Sequence, residues 1–257
     1  IQPNNADVYN CWGNLLKEQG NLTEAKVIYE KSLELNPNHI NAHFGRGFIL
    51  LKQGDFLAGF SEYEWRWQHE NSIQRNFSQS LWDGSNFLGK TLLVYTEQGL
   101  GDSIQFIRYI PLVKKLGGNV IVECNKAALK LILTTVSGID ELFIRGEKLP
   151  DFDLQIPLMS LPRIFGTTLE TIPAKIPYLF VPESTNFHIP LTQGKKFKVG
   201  IFWQTNSTSI TSQKRSCLIQ YFREILNVDG ANFYILQKEV SPQDLEWLNS
   251  HIQIHNL

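Results

Sequence analysis

Gly13 and Gly47, Leu16 and Leu50, Gly20 and Gly54, and Tyr29 and Tyr63 are each 34 residues apart. Recurrence at a fixed spacing limits the possible folds more than composition does, because each period must be one copy of the same supersecondary unit. Within a period a glycine separates two amphipathic runs, so the unit is a helix, a turn at Gly20 and a second helix. Small residues at Gly13 and Ala25 allow paired helices to approach closely, and Trp12, Leu15, Leu16, Ile28 and Tyr29 fill the seam. The same offset carries Leu35 back to Ile1 and Pro37 back to Pro3, so residues 1–4 read as the tail of an earlier unit. A single unit cannot bury its own apolar face. The expectation is therefore further repeats upstream or packing on the next domain, in a chain truncated at both ends.

The period, together with Trp12-Gly-Asn-Leu15, Gly20, Ala25, Tyr29 and Pro37, resembles the tetratricopeptide (TPR) repeat. Residues 1–70 are read as the end of a TPR array, which implies a protein partner. In Glu62-Tyr-Glu-Trp-Arg-Trp67 the two tryptophans cannot both face a helical seam, which predicts docking onto the next domain. Residues 71–90 are polar and read as a linker.

Beyond residue 90 the pattern is α/β. Strands are expected at residues 91–95, 119–124, 141–144 and 153–156, with helices at 103–116, bent at Pro111, and at 126–136. Such alternation implies a parallel sheet with ligands at the carboxyl ends of its strands. Prolines 173, 177 and 190 mark an inter-domain connection. A second α/β pattern then opens, with strands at 198–203 and 232–236, helices at 216–228 and 241–250, and a strand start at 252–255. The domain boundaries are placed at 91–190 and 191–257.

Several function classes are disfavoured. The net charge of −1 gives no general field for nucleic acid. Cys11, Cys124 and Cys217 lie far apart without a C-x-x-C pair, and His39 and His43 lack the H-E-x-x-H pattern, so no metal site is expected. No apolar run reaches the ~20 residues of a membrane span, and the reading is a cytoplasmic protein. Gly84-Ser-Asn-Phe-Leu-Gly-Lys-Thr91 fits the phosphate-loop pattern G-x-x-x-x-G-K-[ST], but a strand follows it where a helix is needed.

The most pointed stretch is Glu97-Gln-Gly-Leu-Gly-Asp102, between the first strand and its helix. Gly99 and Gly101 are read as allowing a tight turn and close approach to a ligand. Gly99-Leu-Gly101 with Glu123 beyond suggests a dinucleotide fingerprint, but Ile104 takes the third glycine position and Asp102 sets a negative charge where pyrophosphate belongs. Asp102 reads either as a helix cap or as a general base at the cleft.

Trp82-Asp-Gly, Gly89-Lys-Thr-Leu-Leu-Val94, the run Glu97 to Tyr109 with Pro111, and Ile176-Pro-Tyr-Leu179 resemble bacterial TPR proteins carrying a glycosyltransferase-like domain. That domain is related to lipopolysaccharide heptosyltransferases and, more distantly, to O-linked N-acetylglucosamine transferases. The resemblance implies a GT-B fold: two Rossmann-like domains, the first on the acceptor side, the second on the nucleotide-sugar side. It implies an inverting, metal-independent transfer, with a nucleotide-sugar as donor substrate, no separate cofactor, and a protein or glycan acceptor. Asp102 matches the family's catalytic base, with Gly99 and Gly101 beside it. A polar or basic phosphate-binding loop is implied at Gln204, Lys214 and Arg215, although Lys214 and Arg215 equally suit an ordinary exposed loop. The family's donor-binding stretch is missing before Leu257, so the 257 residues alone are expected to be inactive. The alternative is a TPR scaffold fused to a catalytically degenerate domain.

Overall fold

A computed structural model describes residues 4–69, 75–182, 197–205, 215–251 and 255–256. The chain divides into two units, Ile1–Thr185 and Asn186–Leu257.

The first unit opens with four helices, α1 (Ala6–Glu18), α2 (Leu22–Leu35), α3 (Ile40–Gln53) and α4 (Phe56–Tyr63), arranged as two helical hairpins. The 34-residue recurrence is visible in their geometry. Gly20 and Gly54 both end a first helix with left-handed φ values of 84° and 85°, a conformation costly for any residue with a Cβ. The second helices dock where the first helices carry glycine: a Cβ on Gly13 would meet the Tyr29 ring at 2.7 Å, and one on Gly47 would meet Glu62 at 2.8 Å. Tyr29 is fully buried, and its hydroxyl donates to Asn14 Oδ1 at 2.7 Å. After Tyr63 the backbone tightens into a 3-10 helix, Glu64–Gln68.

Five parallel strands come next: β1 (Ser80–Leu81), β2 (Thr91–Tyr95), β3 (Asn119–Cys124), β4 (Glu141–Ile144) and β5 (Leu154–Pro157), in the order β1-β5-β2-β3-β4. Leu92, Leu93 and Val94 are all buried, as expected of a parallel strand covered on both faces. The stretch expected to be a linker is partly built into this sheet. Ser80 and Leu81 pair with β5, and Trp82 and Phe87 are buried in the main core. Two large apolar side chains in a polar stretch were enough to anchor it.

The helix expected over 103–116 starts earlier and breaks. α5 (Leu100–Phe106) gives way to a 3-10 turn at Ile107–Tyr109, then α6 (Ile110–Lys114) with Pro111 in its first turn. Proline has no N–H to donate, which suits a new helix start better than an interior. α7 (Ala127–Leu133) and α8 (Leu161–Ile164) complete the unit.

The second unit holds the parallel strands β6 (Phe197–Ile201), β7 (Ala231–Ile235) and β8 (His255–Asn256). The helix expected over 216–228 is reduced to a 3-10 turn, Ile219–Phe222, and a short α-helix, Arg223–Leu226. Its first residues instead hook back to the end of β6: the Cys217 amide donates to the Trp203 carbonyl, and the Ser216 hydroxyl accepts from the Thr205 amide. The last helix, Pro242–His251, is capped by Ser241, whose hydroxyl accepts from the Asp244 amide at 3.1 Å. No helix among the described residues is long and apolar enough to cross a membrane.

Candidate functional site

The order of the first sheet fixes where a ligand site belongs. From β2 the chain moves outward to β3 and β4, then returns to the opposite side of β2 as β5. Adjacent connections that leave a sheet in opposite directions open a crevice at the carboxyl ends of the strands. Here that crevice lies above β2 and β5, and a side chain from the helical region fills it. Arg66 donates to Glu97, two residues past β2, at 3.0 Å, and to Ser160, three residues past β5, at 2.9 Å. It also donates to Glu64 at 2.7 Å and to the Tyr63 carbonyl, and its guanidinium lies 4.6 Å from the Tyr63 and Trp67 ring centres. The two tryptophans divide as the sequence required: Trp67 packs on the β2–β3 face with Leu93 and Tyr95, and Trp65 stacks on His43 of α3 at 3.8 Å.

Glu97 is the electrostatically unusual group. Its side chain is only 8% exposed, and burial pushes its carboxyl up to about 7, with Arg66 and the Met159 amide holding it down in part. Oε1 accepts from Arg66, while Oε2 is buried without a hydrogen-bond partner. Nearby, Glu123 on β3 is almost wholly buried and takes both terminal nitrogens of Arg75, with Arg145 Nε at 3.8 Å. Arg145 donates to the Thr96 carbonyl at 2.7 Å. Glu123, the acid considered for a ribose contact, is thus committed to two arginines of its own unit.

A cavity of about 380 Å³ lies between α3, the 3-10 segment and the carboxyl ends of β2 and β4. Phe44, Trp65, Trp67 and Tyr95 form its apolar walls, and Arg66, Arg75, Glu97 and Arg145 its polar ones. A second cavity of about 240 Å³ lies on the β5 side and shares Trp67, Arg75 and Tyr95 with the first.

Gly99, Gly101 and Asp102 lie just beyond Glu97 in the chain. Gly99 caps α5, and Asp102, at the third helical position, reaches back so that Oδ2 accepts from the Gly99 amide at 3.0 Å. Asp102 therefore has the cap role, and the carboxylate is half-buried. Neither glycine adopts a left-handed φ. A Cβ at Gly101 would meet open space. In the second unit the Gln204 amide donates to Gln237 Oε1 at 3.2 Å, and Arg215 is exposed in a turn. Lys214 lies outside the described residues. In the phosphate-loop pattern, Gly89 turns the chain and Thr91 enters β2 with no helix between them. Among the described residues no cluster of His, Cys, Asp or Glu is disposed to hold a metal ion.

Arg66, Glu64, Arg75, Arg145 and Ser160 were not singled out from sequence. The signal available was Arg66 between two tryptophans in a segment that had to leave the helical seam.

A model of the TPR repeat matches residues 13–54. Protein FlbA of Caulobacter vibrioides is 25% identical over an alignment covering 45% of this chain, and the match spans only 26% of that protein. Among solved structures, the chain is similar to an O-GlcNAc transferase mutant of Thermobaculum terrenum, at 11% identity and a TM-score of 0.32, over 100% of this chain and 68% of that one. The chain joins a region matching the TPR model to a parallel-sheet α/β region.

Proposed function

We propose that this chain is the acceptor-handling part of an inverting, metal-independent glycosyltransferase of GT-B type, in which the TPR region and the first sheet hold the acceptor together. The observation that carries this reading is the cavity at the carboxyl ends of β2 and β4, walled by the repeats and holding the buried carboxyl of Glu97. The glycosyltransferase class itself comes from the resemblance of the run Glu97 to Tyr109. Asp102 is the proposed base. It takes the acceptor hydroxyl's proton as that oxygen bonds to the anomeric carbon, and the bond from that carbon to the nucleotide's phosphate oxygen breaks. The leaving diphosphate needs cations and amides, a role proposed for Gln204, Lys214 and Arg215, with Gly99 and Gly101 leaving room at the loop.

The test is to titrate the intact protein with a panel of sugar nucleotides and to assay transfer. Asp102→Asn keeps an oxygen for the Gly99 amide, so the cap survives. Transfer should fall by about 10²-fold or more while donor affinity stays within about twofold. If no sugar nucleotide binds, the enzyme reading fails; if the variant keeps full turnover, Asp102 is not the base. A second reading, a TPR scaffold with a degenerate domain, is favoured by the Arg66 side chain standing in the crevice where a ligand of such a sheet is usually held.

A further inference from the structure

We infer that the cavity beneath the repeats is a subsite for a neutral sugar ring, so that the acceptor is a glycan rather than a bare peptide. This rests on the glycosyltransferase reading and narrows its acceptor. Three observations point to it. The arginines that line the cavity are already paired: Arg66 with Glu64 and Glu97, and Arg75 and Arg145 with Glu123. A nucleotide diphosphate calls for cations that are not already held by carboxylates, and each of these three is so held.

Second, unsatisfied polar atoms of both kinds occur on side chains that line the same space. Glu97 Oε2 is an acceptor without a donor, and Arg66 Nε and Arg145 Nε are donors without an acceptor, each buried. Buried polar groups without partners are uncommon and costly. One ligand group that answers both kinds is the hydroxyl, which donates and accepts. A small rotation of the Glu97 carboxyl, whose Oε1 alone is bonded to protein, would offer Oε2 to such a group. Third, the remaining walls are Phe44, Trp65, Trp67 and Tyr95, flat apolar surfaces suited to the C–H face of a pyranose. At about 380 Å³ the cavity falls at the small end of ligand pockets, enough for one or two rings.

The experiment needs no donor. The intact protein is titrated with methyl glycosides of glucose, galactose and N-acetylglucosamine, following tryptophan fluorescence and saturation-transfer NMR, with tetra-alanine and cyclohexanol in parallel. At least one glycoside should saturate, and neither comparison compound should. At pH 8, above the value of about 7 to which burial raises the Glu97 carboxyl, Glu97→Gln should weaken that glycoside about tenfold, the effect of trading a charge-assisted hydrogen bond for a neutral one. Phe44→Ala, at a position 40% exposed on α3, removes a wall without opening the core and should weaken it as well. The inference is overturned if no glycoside saturates, if tetra-alanine or cyclohexanol binds in its place, or if binding is unchanged in both variants. Failure to bind sugar nucleotides would leave these results untouched, so the two readings fall separately.

Discussion

The two helical repeats use matching positions for different ends. In the first, α2 runs for 14 residues, and its last turn stays in the repeat: Ser32 is fully buried and donates to the Ala6 carbonyl, with Leu33 in the same core. In the second, the equivalent helix α4 stops after 8 residues, and the positions equivalent to Ser32 and Leu33 are Arg66 and Trp67. These leave the helical seam for the sheet. Tyr29 and Tyr63 diverge likewise. Tyr29 is locked between Gly13 and Gly45, whereas the Tyr63 hydroxyl meets Met159 Sδ at 4.0 Å and its ring meets Arg66. A repeat next to a different domain keeps the residues that shape its first helix and turn, and changes those that face outward at its end.

This contrast can be broken most strongly at Tyr29. Tyr29→Ala empties the contact between three helices and should cost about 3–5 kcal/mol in denaturant unfolding. Tyr63→Ala, at a half-buried position, should cost less than half as much. Equal losses would mean that the second repeat has its own core of the same kind.

Next in size is the pH response of the docked repeat. Glu97 has its carboxyl raised from 4.5 to about 7 in the folded protein, so the folded state holds that proton more tightly than the unfolded one. Its contribution to stability is complete below pH 4.5 and is lost as pH rises through about 7, on the order of 3 kcal/mol in all. Glu97→Gln should remove this dependence and leave the variant more stable than the parent at pH 8, measured by urea unfolding at several pH values. A parent protein with the same pH slope as the variant would show that Arg66 fully offsets the burial of Glu97.

Much of this is legible in the order of residues alone. The period marked the helices because glycine and tyrosine at fixed spacing have steric roles, and the run Leu92-Leu-Val marked a strand buried on both faces. What could not be read was pairing across distance. Arg66 meets Glu97 and Ser160 only because β2 and β5 are adjacent, and adjacency is set by topology rather than by any local pattern. The same limit hid the role of 80–90, where Trp82 and Phe87 fill a core formed by residues much later in the chain. Asp102 was ambiguous for a different reason. A carboxylate in the first turn of a helix suits both a cap and a base, and the contact to Gly99 settles the first role alone.

The smallest effect gives the sharpest comparison, because it deletes one oxygen at each of two equivalent positions. Tyr29→Phe removes a hydroxyl that donates to Asn14 at 2.7 Å, leaving that amide oxygen only the longer contact from Lys17 at 3.5 Å. The expected cost is about 1 kcal/mol, the net worth of an ordinary hydrogen bond. Tyr63→Phe removes only a contact with a thioether, a weak acceptor, and should change stability by less than about 0.5 kcal/mol. Urea unfolding of the two variants beside the parent resolves that difference. If Tyr63→Phe cost as much as Tyr29→Phe, the second tyrosine would be held by the sheet domain as firmly as the first is by its repeat. The docked segment would then be as rigid as the repeat core.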